Sequence, residues 1–443
     1  MGRYRGAKRE IEAWQTLVHV CRRWRYVVFG SPHRLNLKLC CKPETPARDT
    51  LDVWPALPLL VTSKFRQIGA PDNTITALGQ SNRVCQVDLH IKGWQLEEIL
   101  APMQVSFPEL TDLELWSTGE TPTVIPDSFL GGSAPRLRHL ELHSIPFPGL
   151  PKLLLSATHL FKLDLSDIPH SGYISPEAIA TSLSLLSSLG ILYLEFQSPQ
   201  SHPDWGTRRP PPSKRFVLSA LYRFHFKGVT EYLEDLVTGI DTPRLSSANI
   251  TFFNQIDFDC PRLAQFINRT PALTGRGRDK ARVQFHNSTA SVTLQSRTTV
   301  IGIDDLSIKI SIREPDWQLS SLEQVCNSLP LISLVEDLYI EHLYLERARK
   351  IDAIESTQWL ELLLPFIIVK NLYLAKEFAP GITAALQGLV GDRITDVLPN
   401  LKNILIEGLE PSGPFQENIG QFLAARQLLG HPITISVWAG PEQ

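Results

Sequence analysis

One six-residue pattern recurs along the chain and limits what it can become. An apolar residue is followed by two variable residues, an apolar residue, one variable residue and another apolar residue. It reads VCQVDL at 84–89, LTDLEL at 110–115, LRHLEL at 137–142, LFKLDL at 160–165 and LGILYL at 189–194. Looser copies follow as LYRFHF (221–226), LSSANI (245–250), IDDLSI (303–308), VEDLYI (335–340), VKNLYL (369–374) and LKNILI (401–406). Successive copies begin 23 to 34 residues apart, except for one gap of 58 that covers two periods. A degenerate unit is therefore expected near 275–295, with ARVQF (281–285) or SVTLQ (291–295) supplying its strand.

Strand geometry explains the pattern. Alternate side chains of a strand face opposite ways, so the fourth and sixth motif residues point inward and the fifth points out. One such strand cannot bury its apolar side alone, whereas stacked copies build a continuous core. The segments between copies carry helix signals. PEAIATSLSLLSSL (176–189) places Pro in a first turn behind Ser175, an N-cap residue. EYLEDLVTGI (231–240) and ITAALQGLVGDRITDVL (382–398) have the same character, and SLEQVCNSL (321–329) carries Leu322, Val325 and Leu329 at helical spacing. A strand plus a helix or turn every ~29 residues matches leucine-rich repeats. The expected fold class is α/β: a leucine-rich-repeat solenoid over 84–443, a curved parallel sheet with outer helices and loops. Ahead of it, 40–83 reads as a Pro-rich connection and first irregular repeat, and 1–39 as a short helical segment. Residues 198–215 (SPQSHPDWGTRRPPPSKR) are too rich in Pro for a helix or central strand and read as a loop insertion. The degenerate repeat falls within 270–300.

Composition narrows the function classes. The 443 residues carry a formal charge of -3, which argues against a globally basic nucleic-acid binder. The greasiest run, 359–369, is about half the length of a membrane span and contains Glu361 and Pro365. The basic N-terminus lacks an apolar leader, so an intracellular chain, cytoplasmic or nuclear, is expected, neither secreted nor membrane-bound. Its six cysteines then read as reduced thiols, and the sequons at Asn249, Asn268 and Asn287 as coincidental.

No metal or catalytic spacing is present: there is no HExxH, no Cys/His quartet, no GxSxG and no phosphate loop. The expectation is a chain that is not an enzyme, with no cofactor and no metal. HLELH (139–143) puts His139, Glu141 and His143 on one strand face, read here as solvated. The outward fifth positions are Asp88, Glu114, Glu141, Asp164 and Tyr193, then His225, Asn249, Ser307, Tyr339, Tyr373 and Leu405. The first four form a carboxylate ladder; Asp112 adds to it, and His139 and Lys162 partly offset it. Such a ladder is either a well-solvated surface or an attractor for a protein substrate with a basic segment. Asp88, Asp112, Glu114, Glu141, Asp164 and Tyr193 are the candidate substrate-binding residues.

Residues 17–35, LVHVCRRWRYVVFGSPHRL, resemble the second half of an F-box. LGGSAPRLRHLEL (130–142), GYISPEAIATSLSLLSSLGILYLEFQSP (172–199) and FKGVTEYLEDLV (226–237) resemble the large fungal family of F-box-like proteins with irregular leucine-rich repeats. No L-P-x-E opening precedes Trp14, so the first half of that module has no counterpart here. The resemblance implies a substrate receptor of a cullin-type ubiquitin ligase. Leu17, Val20, Cys21 and Trp24 would then face the adaptor subunit, and the repeats a protein substrate. The residues themselves say less. Leu17, Val20, Cys21, Trp24, Val27 and Val28 form one apolar helical face in a segment, 1–39, of net charge +7. That helix could cap the solenoid, dock an adaptor or contact nucleic acid. The alternative to a ligase receptor is a stand-alone leucine-rich-repeat binding scaffold.

Overall fold

A computed structural model describes residues 21–23, 26, 37–40, 46–53, 56–63, 71–119, 123–199, 215–253, 260–275, 277–296, 305–312, 314–342, 354–389, 391–408 and 414–439. The chain divides into two compact units, Met1–Trp205 and Gly206–Gln443.

Among the described residues of the first unit seven strands lie side by side in chain order: β1 (Leu37–Cys40), β2 (Leu59–Thr62), β3 (Val84–Lys92), β4 (Asp112–Thr118), β5 (His139–His143), β6 (Lys162–Ile168) and β7 (Ile191–Phe196). Every neighbouring pair is parallel. Parallel neighbours need a crossover of a dozen or more residues, which the motif spacing provides. The crossovers hold short helices, among them Leu96–Leu100, Leu150–Leu154 and Pro176–Leu183. Burial alternates along β4 and β5: Leu113, Leu115, Leu140 and Leu142 are buried, while the residues between them are half-exposed. Ser175 caps its helix as expected, its Oγ accepting from the Ala178 N–H at 3.2 Å. The helix stops at Leu183 instead of running to 189, and the Ser184 hydroxyl turns back onto the Thr181 carbonyl at 2.6 Å.

The second unit contains β8 (Phe216–Val217), β9 (Arg223–Gly228), β10 (Ile240–Asp241), β11 (Ser247–Phe252), β12 (Lys280–Phe285), β13 (Ala290–Gln295), β14 (Leu306–Ile310), β15 (Asp337–His342), β16 (Asn371–Leu374), β17 (Asn403–Glu407) and β18 (Thr434–Trp438). Its sheet runs β9-β11-β14-β13-β12-β15-β16-β17-β18, and β8 pairs separately with β10. The long gap in the repeat thus holds two strands, and not one. ARVQF lies on β12 and SVTLQ on β13, and the two are antiparallel. Only 286–289 join them, too short for a parallel crossover but enough for a tight reversal, closed by the His286 N–H on the Thr289 carbonyl at 2.8 Å. The meander β12-β13-β14 walks back toward β11. The helix Pro315–Ser328 then returns the chain to β15, which pairs with the other edge of β12. Leu322 and Val325 of that helix are buried, as their spacing predicts.

Each unit is therefore a parallel-dominated α/β stack of the leucine-rich-repeat type. Helices of successive repeats pack on one another: Pro261–Asn268 on Thr230–Gly239, and Ser356–Leu363 between Pro315–Ser328 and Ala379–Gln387. In the second unit the third motif position forms an amide ladder. Asn371 Nδ2 donates to Asp337 at 2.6 Å, and Asn403 Nδ2 donates to Asn371 Oδ1 at 2.6 Å. Cys85, Cys260 and Cys326 are buried thiols outside any disulfide, and burial pushes the Cys85 thiol up to about 11 and the Cys326 thiol up to about 12. Among the described residues no helix is long and apolar enough to cross a membrane.

Candidate functional site

The half-exposed face of β3–β7 carries three rows of side chains in register. The middle row is Asp88, Glu114, Glu141, Asp164 and Tyr193, each the direct partner of the next. With strands about 4.8 Å apart, four carboxylates span about 14 Å. One flanking row is Gln86, Asp112, His139 and Lys162, and the other is His90, Trp116, His143 and Ser166. The six candidate substrate-binding residues therefore share one face, with Asp112 beside the row and not in it.

Each carboxylate has a distinct environment. Lys162 lies across two of them, with Nζ 2.9 Å from Glu141 and 3.2 Å from Asp164, and it stands 5.4 Å over the Tyr193 ring. Burial opposes its charge, yet the hydrogen bond to Glu141 and the two carboxylates hold the ammonium above the usual lysine range. Asp164 also accepts from the Ser166 hydroxyl at 2.6 Å. Asp112 is engaged by His139, by Thr111 at 2.6 Å and by Gln86 at 3.2 Å, so much of its capacity for a partner is already used.

Glu114 is only partly relieved. Burial raises its carboxyl above the usual range and Asp88 adds to the rise; the Trp116 indole N–H, which donates to it, and Lys162 work the other way. A carboxyl raised on folding means that the folded chain holds this proton more tightly than the unfolded one. Its contribution to stability therefore falls as pH rises through 4.5 toward the raised value. Glu114→Gln keeps an acceptor for Trp116 and is expected to stabilise the first unit at pH 7 by less than ~1 kcal/mol, since solvent screens a half-exposed group. Thermal melts at pH 7 and below pH 4 check this: the gain should vanish at the lower pH.

Trp116 was not singled out by the motif, which ends one residue before it. Its ring is stacked between His90, at 5.6 Å, and His143, at 4.3 Å, and His143 Nε2 meets Asp167 at 3.2 Å. Asp167 reaches it from a bulge in β6, where it holds a positive φ of 53°. Following the period-two alternation two residues past each fifth position would have found this row. His139 and His143 are thus held by separate acids, and among the described residues no His/Cys/Asp/Glu group is arranged to hold a metal.

In the second unit the fifth motif positions also align. Asn249 lies between His225 and Ser307, and Tyr373 between Tyr339 and Leu405. Tyr339 and Tyr373 stack at 4.0 Å and 4°, with Trp438 edge-on to both. Lys280 and Arg282, which the motif did not flag, cover the other side of Tyr339 at 4.4 and 4.7 Å. At the N-terminus Cys21 is exposed; Leu17, Val20 and Trp24 lie outside the described residues, as do 200–214 of the Pro-rich insertion.

No family model matches the chain, and no curated protein does. Among solved structures it is similar to the leucine-rich repeat-containing protein LegL7 from Legionella pneumophila, at 13% identity and a TM-score of 0.25, covering 88% of this chain and 97% of that one. It is also similar to the complex of Rad7 and Elc1 in yeast, at 14% identity and a TM-score of 0.24, covering 91% of this chain and 90% of that one. At these TM-scores the likeness carries no argument, and the fold class stands on strand order and register.

Proposed function

We propose that the chain is a non-catalytic protein-recognition module whose first unit takes a Lys- or Arg-bearing segment of a protein partner across β3–β7. One observation carries this: Asp88, Glu114, Glu141 and Asp164 stand in register on a half-exposed face. Stacked like charges cost stability, and a cation laid along them offsets that cost. Lys162, bound to two of the four, is the chain's own example of such a contact. Lys162→Met removes this internal competitor. It is expected to tighten binding of an oligo-lysine peptide several-fold while lowering the melting temperature, both read on the same preparation.

The finer proposal rests on the F-box resemblance of 17–35. In it the chain is a substrate receptor of a cullin-type ubiquitin ligase, with Leu17, Val20, Cys21 and Trp24 facing the adaptor subunit. The substrate lies on Asp88, Asp112, Glu114, Glu141, Asp164 and Tyr193. Co-precipitation of the purified chain with the adaptor subunit tests the ligase link. Retention by the native chain and loss in Trp24→Ala is the expected result. Failure of both to bind would leave the first-unit face intact as a proposal and reduce the chain to a stand-alone scaffold.

A further inference from the structure

The two units carry opposite chemistry on corresponding strand faces. Strands β3–β6 hold six acidic residues against Lys92 and Lys162. In the second unit β9, β11, β14, β13 and β12 are consecutive neighbours in the sheet, and not one Asp or Glu occurs in them. They carry instead Arg223, Lys227, Lys309, Lys280 and Arg282, all half-exposed on the outward positions. Hydroxyl and amide groups fill the sites between, as at Asn249, Thr251 and Ser307. Register sets Thr251 between Lys227 and Lys309.

From this we infer that the face of β9, β11, β14, β13 and β12 is a docking surface for an extended, Asp- and Glu-rich segment of a protein partner. Two cations, Arg223 and Lys309, are available to it, and Lys280, which lies over Tyr339, borders it. Among the described residues no carboxylate lies within salt-bridge reach of Arg223, Lys309 or Lys280, whereas Arg282 is already paired with Glu341. Burial, and then the neighbouring Arg282, pull the Lys280 ammonium below the usual lysine range although Glu341, Asp337 and Asp279 work the other way, so an incoming anion relieves what remains of that cost. The cations spread over four strand spacings, about 19 Å, the reach of about six extended residues. A single compact anion would need them to converge.

Nucleic acid fits less well. Tyr339, the aromatic ring that borders the patch, is not open for base stacking, since Tyr373 covers it on one side and Lys280 and Arg282 on the other. The surface is also interleaved with uncharged groups and is not a continuous basic track. This inference is independent of the acidic row in the first unit.

The test titrates a labelled oligo-glutamate peptide into the full chain at low salt. Saturable binding is expected, weakened about tenfold or more by the Arg223→Glu and Lys309→Glu pair, the scale of one or two lost charge contacts. Lys309→Arg should retain binding. Arg136→Glu, an exposed charge reversal in the first unit outside both strand faces, should leave it unchanged, which separates this face from general charge attraction. Unaltered far-UV dichroism and melting of Lys309→Gln guard against misfolding as the cause. Absence of binding, or binding indifferent to Arg223 and Lys309, would overturn the inference. So would tighter binding of a mixed-sequence single-stranded RNA through the same two residues.

Discussion

Arg278→Leu is expected to destabilise the second unit by about 3–9 kcal/mol. Arg278 is 2% exposed, and its guanidinium holds three main-chain carbonyls. Nε donates to Leu273 at 2.8 Å, Nη1 to Leu294 at 2.8 Å and Nη2 to Ser246 at 3.1 Å. These carbonyls belong to the helix Pro271–Thr274, to β13 and to the approach to β11. That is where strand order departs from chain order, and no regular parallel ladder supplies the missing donors. Leucine fills much of the volume but leaves three buried acceptors unpaired, at roughly 1–3 kcal/mol each. Against a typical domain stability of about 5–15 kcal/mol, the loss is large. Calorimetric melting, with limited proteolysis to locate the loosened segment, measures it. Arg278→Lys keeps the charge but one donor site, so an intermediate loss is expected. A melting temperature unchanged by the leucine variant would contradict this account of the junction.

Glu234→Ala should cost about 2–4 kcal/mol for a similar reason. The helix Pro261–Asn268 begins with Pro261, which has no N–H, and its N-cap residue Cys260 makes no side-chain cap. The next two amides, Arg262 and Leu263, donate to the two oxygens of Glu234 at 2.9 and 2.7 Å. The fourth, Ala264, bonds the Cys260 carbonyl at 3.0 Å, so every early amide is satisfied. The cap thus comes from the helix of the preceding repeat, and the charge also favours the positive helix end. Alanine orphans two amides. Glu234→Gln retains an acceptor and should lose less than half as much. Denaturant unfolding of the three proteins orders them native, Gln, Ala; equal midpoints would mean that the amides find water instead.

How far the sequence carries the structure depends on how local each signal is. The motif leucines specify strand, face and register at once, because a one-residue slip would expose the whole apolar set. That is why the row Asp88, Glu114, Glu141, Asp164 and Tyr193 could be read from spacing alone. The β12-β13-β14 meander was half-legible: both strand candidates were visible, and the four-residue link already required antiparallel pairing. Its backward placement against β11 was not, since partner choice among strands is a long-range matter. Glu234 and Arg278 gave no signal, because a charged residue in a helix or loop looks solvated until a later repeat covers it. Trp116 was missed for a simpler reason, lying just past the motif edge.

The most direct measurement of the central claim is the affinity of a labelled oligo-lysine peptide for the full chain, compared with the Glu114→Gln, Glu141→Gln double variant across a salt series. A recognition face on β3–β7 predicts saturable binding that weakens with salt and falls about tenfold or more in the double variant, whose melting temperature should not drop below the native value by more than a few degrees. Equal affinity of the two proteins, or no binding by the native chain even at low salt, would mean that the carboxylate row is only a solvated surface.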